Sequence, residues 1–394
     1  MARYNGGMPT PSRTNRRVAI VIEASNAYAR GLLTGILRHV REHEPWTVFL
    51  PEHGRGTPPL EALATWVGDG VIARIETASI AKAIEKLRRK LRIPVIDVSA
   101  ARLITDLPYV ETDDAAIAQA AADHFSERDF RHFAFLGDNR FQWSDNRCRA
   151  FVAAVVSKGN DVAVFSSRRT TAPADDDEAV EAWLTGLPKP VALLACYDIR
   201  GRQAIDACRR AGIAVPDEVA VLGVDDDDVL CGLASPPLSS VMPDAIGAGR
   251  LAAELLEQLM RGEPLKQSEW LLPPLGIATR QSTDVLAIDD PLVVAAVRQI
   301  RDHACDGIKV TDVVRSLATT RRALENRFAK RVGHTPHEEI ARVQFRRVEQ
   351  LLRETQLSLA AIATRTGFKH TEYMTVAFTK RHGMPPSRWR KQRR

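Results

Sequence analysis

VTDVVRSLATTRRALENRFAKRVG (Val310–Gly333) and LAAIATRTGFKHTEYMTVAFTKRHG (Leu359–Gly383) are two helix–turn–helix patterns about 50 residues apart. In the first, Val313, Val314 and Leu317 give one apolar face. Leu324, Phe328 and Val332, spaced i, i+4, i+8, give the next. The break at Ala318–Thr319 lets a second helix begin, with Thr319 or Thr320 as its N-cap. Arg321, Arg322, Glu325 and Asn326 then point away from the apolar stripe, where a helix lying in a major groove makes its base-edge and phosphate contacts. In the second pattern Gly367-Phe368 makes the turn, and Tyr373, Met374, Ala377 and Phe378 form the inner stripe. Lys369, His370, Thr371, Glu372 and Thr375 are left facing outward. Ile340–Arg353 reads as one long helix joining the two.

A small helical bundle with a basic face is common, so either pattern alone says little. Together, and followed by GMPPSRWR (Gly383–Arg390), they resemble the AraC-type DNA-binding domain. Its closing pattern falls here on Ile362, Ala363, Gly367, Phe368, Tyr373, Phe378, Gly383, Pro386, Trp389 and Arg390. Met374 stands where Phe is usual and is able to fill the same core space. Thr379 stands where a basic residue is usual, which leaves the phosphate edge to Lys380 and Arg381.

Charge divides the chain in the same place. The 394 residues carry a formal +6, yet Leu292 to Arg394 alone hold 22 Lys and Arg against 9 Asp and Glu, a net of +13. The first 291 residues are therefore at −7, and only the C-terminal part has the field that a polyanion requires.

Before that tail, short apolar runs alternate with amphipathic stretches. Strands are expected at Val18–Ile22, Trp46–Leu50, Gly70–Ala73, Pro94–Val98, His132–Leu136, Val162–Phe165, Val191–Cys196 and Val219–Val224. Helical patterns lie between them at Ala29–Arg41, Ile80–Leu91, Ala115–Ser126, Arg147–Ser157, Ala179–Leu184, Gly201–Ala211 and Ala245–Met260. Unbroken apolar runs suit strands covered on both faces, and the alternation suits doubly wound parallel sheets. Two sheets fit, with the change of sheet near Leu103–Tyr109. Periodicity lapses in TRQSTDVLAIDDP (Thr279–Pro291), the expected linker.

With that tail attached, Val18 to Thr279 resembles the periplasmic-binding-protein fold of LacI-type repressors. The pairing of the two parts resembles that of xylose-operon regulators, with local matches at Gly68–Ala73, Leu238–Val241 and Asp302–Val310. The resemblance implies α/β architecture: a two-lobed effector domain followed by an all-α double helix–turn–helix domain. The expected division is 1–17 disordered tail, 18–280 effector domain, 281–291 linker and 292–394 DNA-binding domain. It also implies a monosaccharide, xylose or a relative, held between the lobes by polar side chains at strand ends. Family positions fall on Arg147 in NRCRAF, Asp198 in CYDIRG and Asp225 in LGVDD. Weaker matches place Asn26 and Tyr28 of SNAYAR on the first strand-to-helix loop, with Tyr28 as the stacking platform.

Blander readings stand beside these. Asp198 at a helix start is compatible with a simple N-cap. Asp225–Asp228 lacks the ligand spacing of a calcium loop, and Asp175–Glu178 reads as a solvated helix start. Gly247-Ala-Gly249 imitates a dinucleotide fingerprint inside a helix pattern, where close helix packing explains it better. His337-Glu338-Glu339 lacks a second metal-binding His, and neither a G-x-S-x-G elbow nor a P-loop occurs. No cofactor, metal or catalytic residue is expected. The five cysteines include no C-x-x-C pair and read as thiols of a reducing compartment. No stretch approaches the ~18 apolar residues of a membrane span, and Met1–Arg17 has no apolar signal core. The chain is expected to be a cytoplasmic homodimer that binds a duplex operator and a small sugar. Two other classes remain open at this point. One is a sugar receptor without a DNA role, which the +13 tail opposes. The other is an alkyl-transfer enzyme built on Cys148, between Arg147 and Arg149.

Overall fold

Val219–Val224 is buried along its whole length, as a strand covered on both faces must be. The same holds for Gly70–Ala73 and Val191–Ala195. The computed structural model describes residues 15–43, 45–51, 60–166, 173–284 and 290–392. They form two compact units that divide between Val285 and Leu286.

The first unit begins with β1 (Arg16–Val21), α1 (Ala27–Glu42), β2 (Trp46–Phe49), α2 (Leu60–Thr65), β3 (Gly70–Ala73), α3 (Ala78–Leu91), β4 (Val95–Asp97) and β5 (Tyr109–Thr112). It continues with α4 (Asp114–Ser126), β6 (His132–Gly137), α5 (Gln142–Val156), β7 (Val162–Ser166), α6 (Pro173–Gly186) and β8 (Val191–Ala195). Next come α7 (Asp198–Arg210), β9 (Val219–Val224), α8 (Asp228–Leu233) and β10 (Ser239–Met242). It closes with α9 (Ala245–Met260), β11 (Glu269–Leu272), β12 (Gly276–Ala278) and a 3-10 turn at Gln281–Thr283.

Two sheets result, ordered β11-β5-β4-β3-β1-β2 and β12-β10-β9-β8-β6-β7. All pairings are parallel except β10 with β12. The two-lobed, doubly wound architecture is therefore the expected one. The change of sheet is not at Leu103–Tyr109, because Tyr109–Thr112 still belongs to the first sheet. The chain leaves that lobe after Thr112, returns after Met242 and crosses again after Leu272. The crossings are laced together: Asp113 N–H donates to the Leu272 carbonyl at 2.8 Å and Leu275 N–H to the Met242 carbonyl at 2.8 Å.

In the first lobe α9 lies directly on α1. A Cβ at Gly249 would stand 2.0 Å from the Leu32 carbonyl oxygen, and one at Gly35 2.1 Å from that of Ile246. The Gly-Ala-Gly run is thus a helix contact. Three expectations need correction. Arg16 and Arg17 already belong to β1, and residues 1–14 of the expected tail lie outside the described residues. The expected linker is shorter, since Ser282 and Thr283 are fully buried and Asp290-Pro291 opens the next helix; 285–289 lie outside the described residues. Asp176 is not solvated: it pairs with the buried Arg200 guanidinium.

The second unit is helical, with α10 (Pro291–His303), α11 (Val310–Ser316), α12 (Arg321–Val332), α13 (Pro336–Glu354), α14 (Leu359–Arg365), α15 (Thr371–His382) and α16 (Pro386–Gln392). The long α13 starts with a Thr335–Glu338 capping box and serves two cores. Ile340 and Val343 join Leu324 and Phe328, while Phe345, Val348 and Leu352 join Ile362, Met374, Phe378 and Trp389. Met374 fills its core position completely. Tyr373 does not belong to that stripe: it is 63% exposed.

Candidate ligand cleft and nucleic-acid interface

Parallel strands end in loops that carry side chains but no sheet partners, so polar groups gather at their carboxyl ends. Between the lobes they line a cleft. The first lobe contributes Asn26, Tyr28, Arg74, Glu111 and Thr112, and the second Trp143, Arg147 and Asp225.

Arg147 is buried on α5, not at its start, since that helix begins five residues earlier than the pattern suggests. Its Nε donates to Asp114 Oδ1 at 3.0 Å, its Nη2 lies 2.9 Å from the same oxygen, and its Nη1 donates to the Cys196 carbonyl. Of five guanidinium N–H groups two remain for a ligand. Arg74 is held in the same manner by Glu23 at 2.8 Å and Glu76 at 3.0 Å. Its buried Nε–H has no hydrogen-bond partner among the described residues. Burial raises the Glu111 carboxyl above its ordinary pKa; it accepts a 2.5 Å bond from the Tyr28 hydroxyl. Asp225 sits at φ 109°, a left-handed conformation that costs energy and aims its side chain off the end of β9.

The expected residues separate. Asn26, Tyr28, Arg147 and Asp225 line the cleft together. Asn26 also caps α1 by accepting from Ala29 N–H at 2.8 Å. Tyr28 is no stacking platform, because its ring is covered by the Arg74 guanidinium, 5.3 Å from the centroid. Trp143 also lines the cleft, with Phe141 stacked on it at 5.1 Å and the Arg147 guanidinium 5.4 Å from its ring centroid. Asp198 lies behind the cleft, 1% exposed. It is not the N-cap of α7, which is Tyr197. Its carboxylate accepts from Ser240 Oγ at 2.6 Å and Asp227 N–H at 2.8 Å, so it shapes the turn that presents Asp225. Burial, then the nearby Asp225 charge, push its pKa well up.

Sequence reasoning missed Arg74, Glu111, Thr112 and Trp143. A charged residue directly after the apolar strand GDGVIA was the legible signal for Arg74. Glu111 lies in a strand, YVET, that reads as polar but is buried throughout. Cys148 has the reverse of an activated thiol: burial raises its pKa.

In the helical unit α12 starts at the Thr320 cap, and Arg322 and Asn326 are exposed on one side while Leu324 and Phe328 are buried. Arg321 pairs with Glu325 at 2.8 Å. On α15 and its N-terminal turn, Lys369, His370, Glu372 and Lys380 are exposed, and Thr371 and Thr375 are half-buried. Thr379 bonds back to the Thr375 carbonyl at 2.7 Å.

A model of the XylR N-terminal domain matches residues 17–115, one of a periplasmic binding protein-like domain residues 122–283, and one of a helix–turn–helix domain residues 313–392. The xylose operon regulatory protein of Escherichia coli (strain K12) is 30% identical over 385 residues, covering 95% of this chain and 96% of that protein. Its Haemophilus influenzae counterpart is also 30% identical, covering 95% of this chain and 98% of that protein. The solved structure of the xylose-binding transcription activator XylR superposes with a TM-score of 0.80 at 28% identity, over 96% of this chain and 98% of that one. With the cleft in one unit and paired helix–turn–helix motifs in the other, the chain belongs to the xylose operon regulatory protein family and is a sugar-sensing, DNA-binding transcription regulator, not an enzyme.

Proposed function

We propose that the cleft holds D-xylose or a related monosaccharide and that its occupancy controls binding of a duplex operator. The observation that supports this most is the buried Arg74 Nε–H, without a partner among the described residues, together with the spare Arg147 donors, in a cleft that Asp225 and Glu111 also line. Guanidinium donors and carboxylate acceptors match the adjacent hydroxyls of a sugar. Asn26, Arg147 and Asp225 contact the ligand; Tyr28 positions Glu111; Asp198 supports Asp225 from behind. In the second unit Arg321, Arg322, Glu325 and Asn326 of α12 enter one major groove, and Lys369, His370, Thr371, Glu372 and Thr375 enter another. Lys380 touches phosphate. The working assembly is a cytoplasmic homodimer, with a sugar-binding domain up to about residue 284 and a DNA-binding domain from about 290. No helix among the described residues is long and apolar enough to cross a membrane.

A thermal-shift panel of pentoses and hexoses, followed by calorimetry, tests the ligand. A sugar at 100 times its Kd adds ~2.7 kcal/mol of stability, and D-xylose is expected to do so. Asp225→Ala is expected to weaken that sugar by ~2–4 kcal/mol, roughly 30- to 1,000-fold, because it leaves buried donors unpaired. Unchanged affinity in the variant places the ligand elsewhere.

A further inference from the structure

Four consecutive carboxylates follow β9, and each has a different task. Asp225 lines the cleft. Asp227 caps α8 and pairs with Arg30 of the other lobe at 3.1 Å. Asp226 and Asp228 both reach Arg280, at 2.8 and 3.1 Å. Asp225 and Asp226 both have positive φ, 109° and 50°, a pair of strained residues that persists only where the surroundings hold it.

Arg280 lies where the chain leaves the effector domain. Its guanidinium also donates to the Leu238 carbonyl at 3.1 Å, and its N–H to Ser239 Oγ at 2.8 Å. Just beyond it, Ser282 Oγ accepts from Ser239 N–H and donates to the Val221 carbonyl, and Thr283 Oγ1 donates to Ser239 Oγ. The next residue of β10, Ser240, turns the other way: its Oγ accepts from Asp226 N–H at 3.0 Å and donates to Asp198. Arg280 and the Ser239–Ser240 pair thus bind one strained turn, which ends in the cleft, to one segment, which leads on to the DNA-binding unit.

We infer that Arg280 is a positioning residue for the sugar response: acting through Asp226, it holds Asp225 in its cleft conformation and transmits a change in that turn to residues 280–284. This rests on the cleft being the sugar site. The ion pair does more than pin the end of the domain, because a pin needs one carboxylate anywhere nearby. Here both partners lie within three residues of the cleft residue, in the turn whose backbone is strained.

Hydrogen–deuterium exchange on the full chain tests it, comparing the natural protein with Asp226→Asn, Arg280→Gln and Arg280→Lys, each with and without D-xylose. Without sugar, Asp226→Asn is expected to speed exchange in 280–284 by about 5-fold, and Arg280→Gln to do the same in 225–228. Arg280→Lys keeps the charge and falls between. With D-xylose, both segments are expected to slow together in the natural protein, but only 225–228 in Arg280→Gln. The inference is overturned if Asp226→Asn leaves 280–284 unchanged, since Arg280 then merely anchors its own segment. If D-xylose alters exchange nowhere in the natural protein, the choice of sugar is wrong, and the sugar-free comparison still decides the role of Arg280.

Discussion

His124 is 7% exposed on α4, and its Nε2 lies 2.9 Å from Thr283 Oγ1 at the end of the effector domain. Burial, and then the Arg128 charge, lower its pKa to about 4. The unfolded chain binds a proton near pH 6.5, whereas the folded one does so only near 4. The neutral ring therefore contributes stability that is fully present above pH 6.5 and is lost as pH falls toward 4, by about 3 kcal/mol in all. Denaturation of the natural protein and His124→Gln across that range checks this: the stability difference between them should shrink as pH falls. A constant difference refutes the assignment. At this same scale the sequence was legible for residues whose neighbours form a motif, such as Arg147 and Asp225. It was silent on Glu111 and gave only half of the setting of Arg74, because a buried charge is only tolerable with partners: Glu76 is two residues from Arg74, but Glu23 and, for Glu111, Tyr28 lie far away in the chain. Asp198 shows the opposite error: the right residue type in the right loop faces inward, because Ser240 and Asp227 N–H are there to receive it.

Arg322 and Asn326 lie four residues apart on the exposed side of α12, so in the proposed DNA contact they are expected to enter a groove together. Arg pairs bidentately with guanine and Asn with adenine, each worth ~1–3 kcal/mol of discrimination. Lys380, in the last turn of α15, is expected to reach only phosphate. Titration against a randomised operator library should show Arg322→Ala relaxing preference at particular bases and Lys380→Ala weakening all sequences alike. A uniform loss for Arg322→Ala would remove α12 from the groove. Among elements, long amphipathic helices and fully apolar strands were readable to within a few residues, as at Gly70–Ala73, Val219–Val224 and Ala245–Met260. The strands β5, β10, β11 and β12 were not. They are three or four residues long, carry Ser, Glu or Gly, and gain their place from sheet edges and crossings that no local pattern records.

For the whole molecule, charge is the property most plainly written in the sequence. The net +13 after residue 291 and −7 before it mean that salt should act on DNA binding far more than on sugar binding. With ~6 phosphate contacts, log K for duplex DNA should fall with log[salt] at a slope of about −5, while the sugar Kd stays nearly level. A DNA slope near zero would show that the basic charge serves another purpose. The triple crossing between lobes has a consequence for the chain as it leaves the ribosome. Val18, Ile20 and Ile72 belong to a core that α9 completes, and β5 gains its outer neighbour only with β11. At ~5–20 residues per second, the stretch between β5 and α9 takes on the order of ten seconds to make. Throughout that interval the first lobe is a half-built sheet with an open apolar face and an open edge. The first lobe, though begun before the second, therefore finishes folding only after most of the second has been made, and its open face is the kind of surface that a chaperone shields.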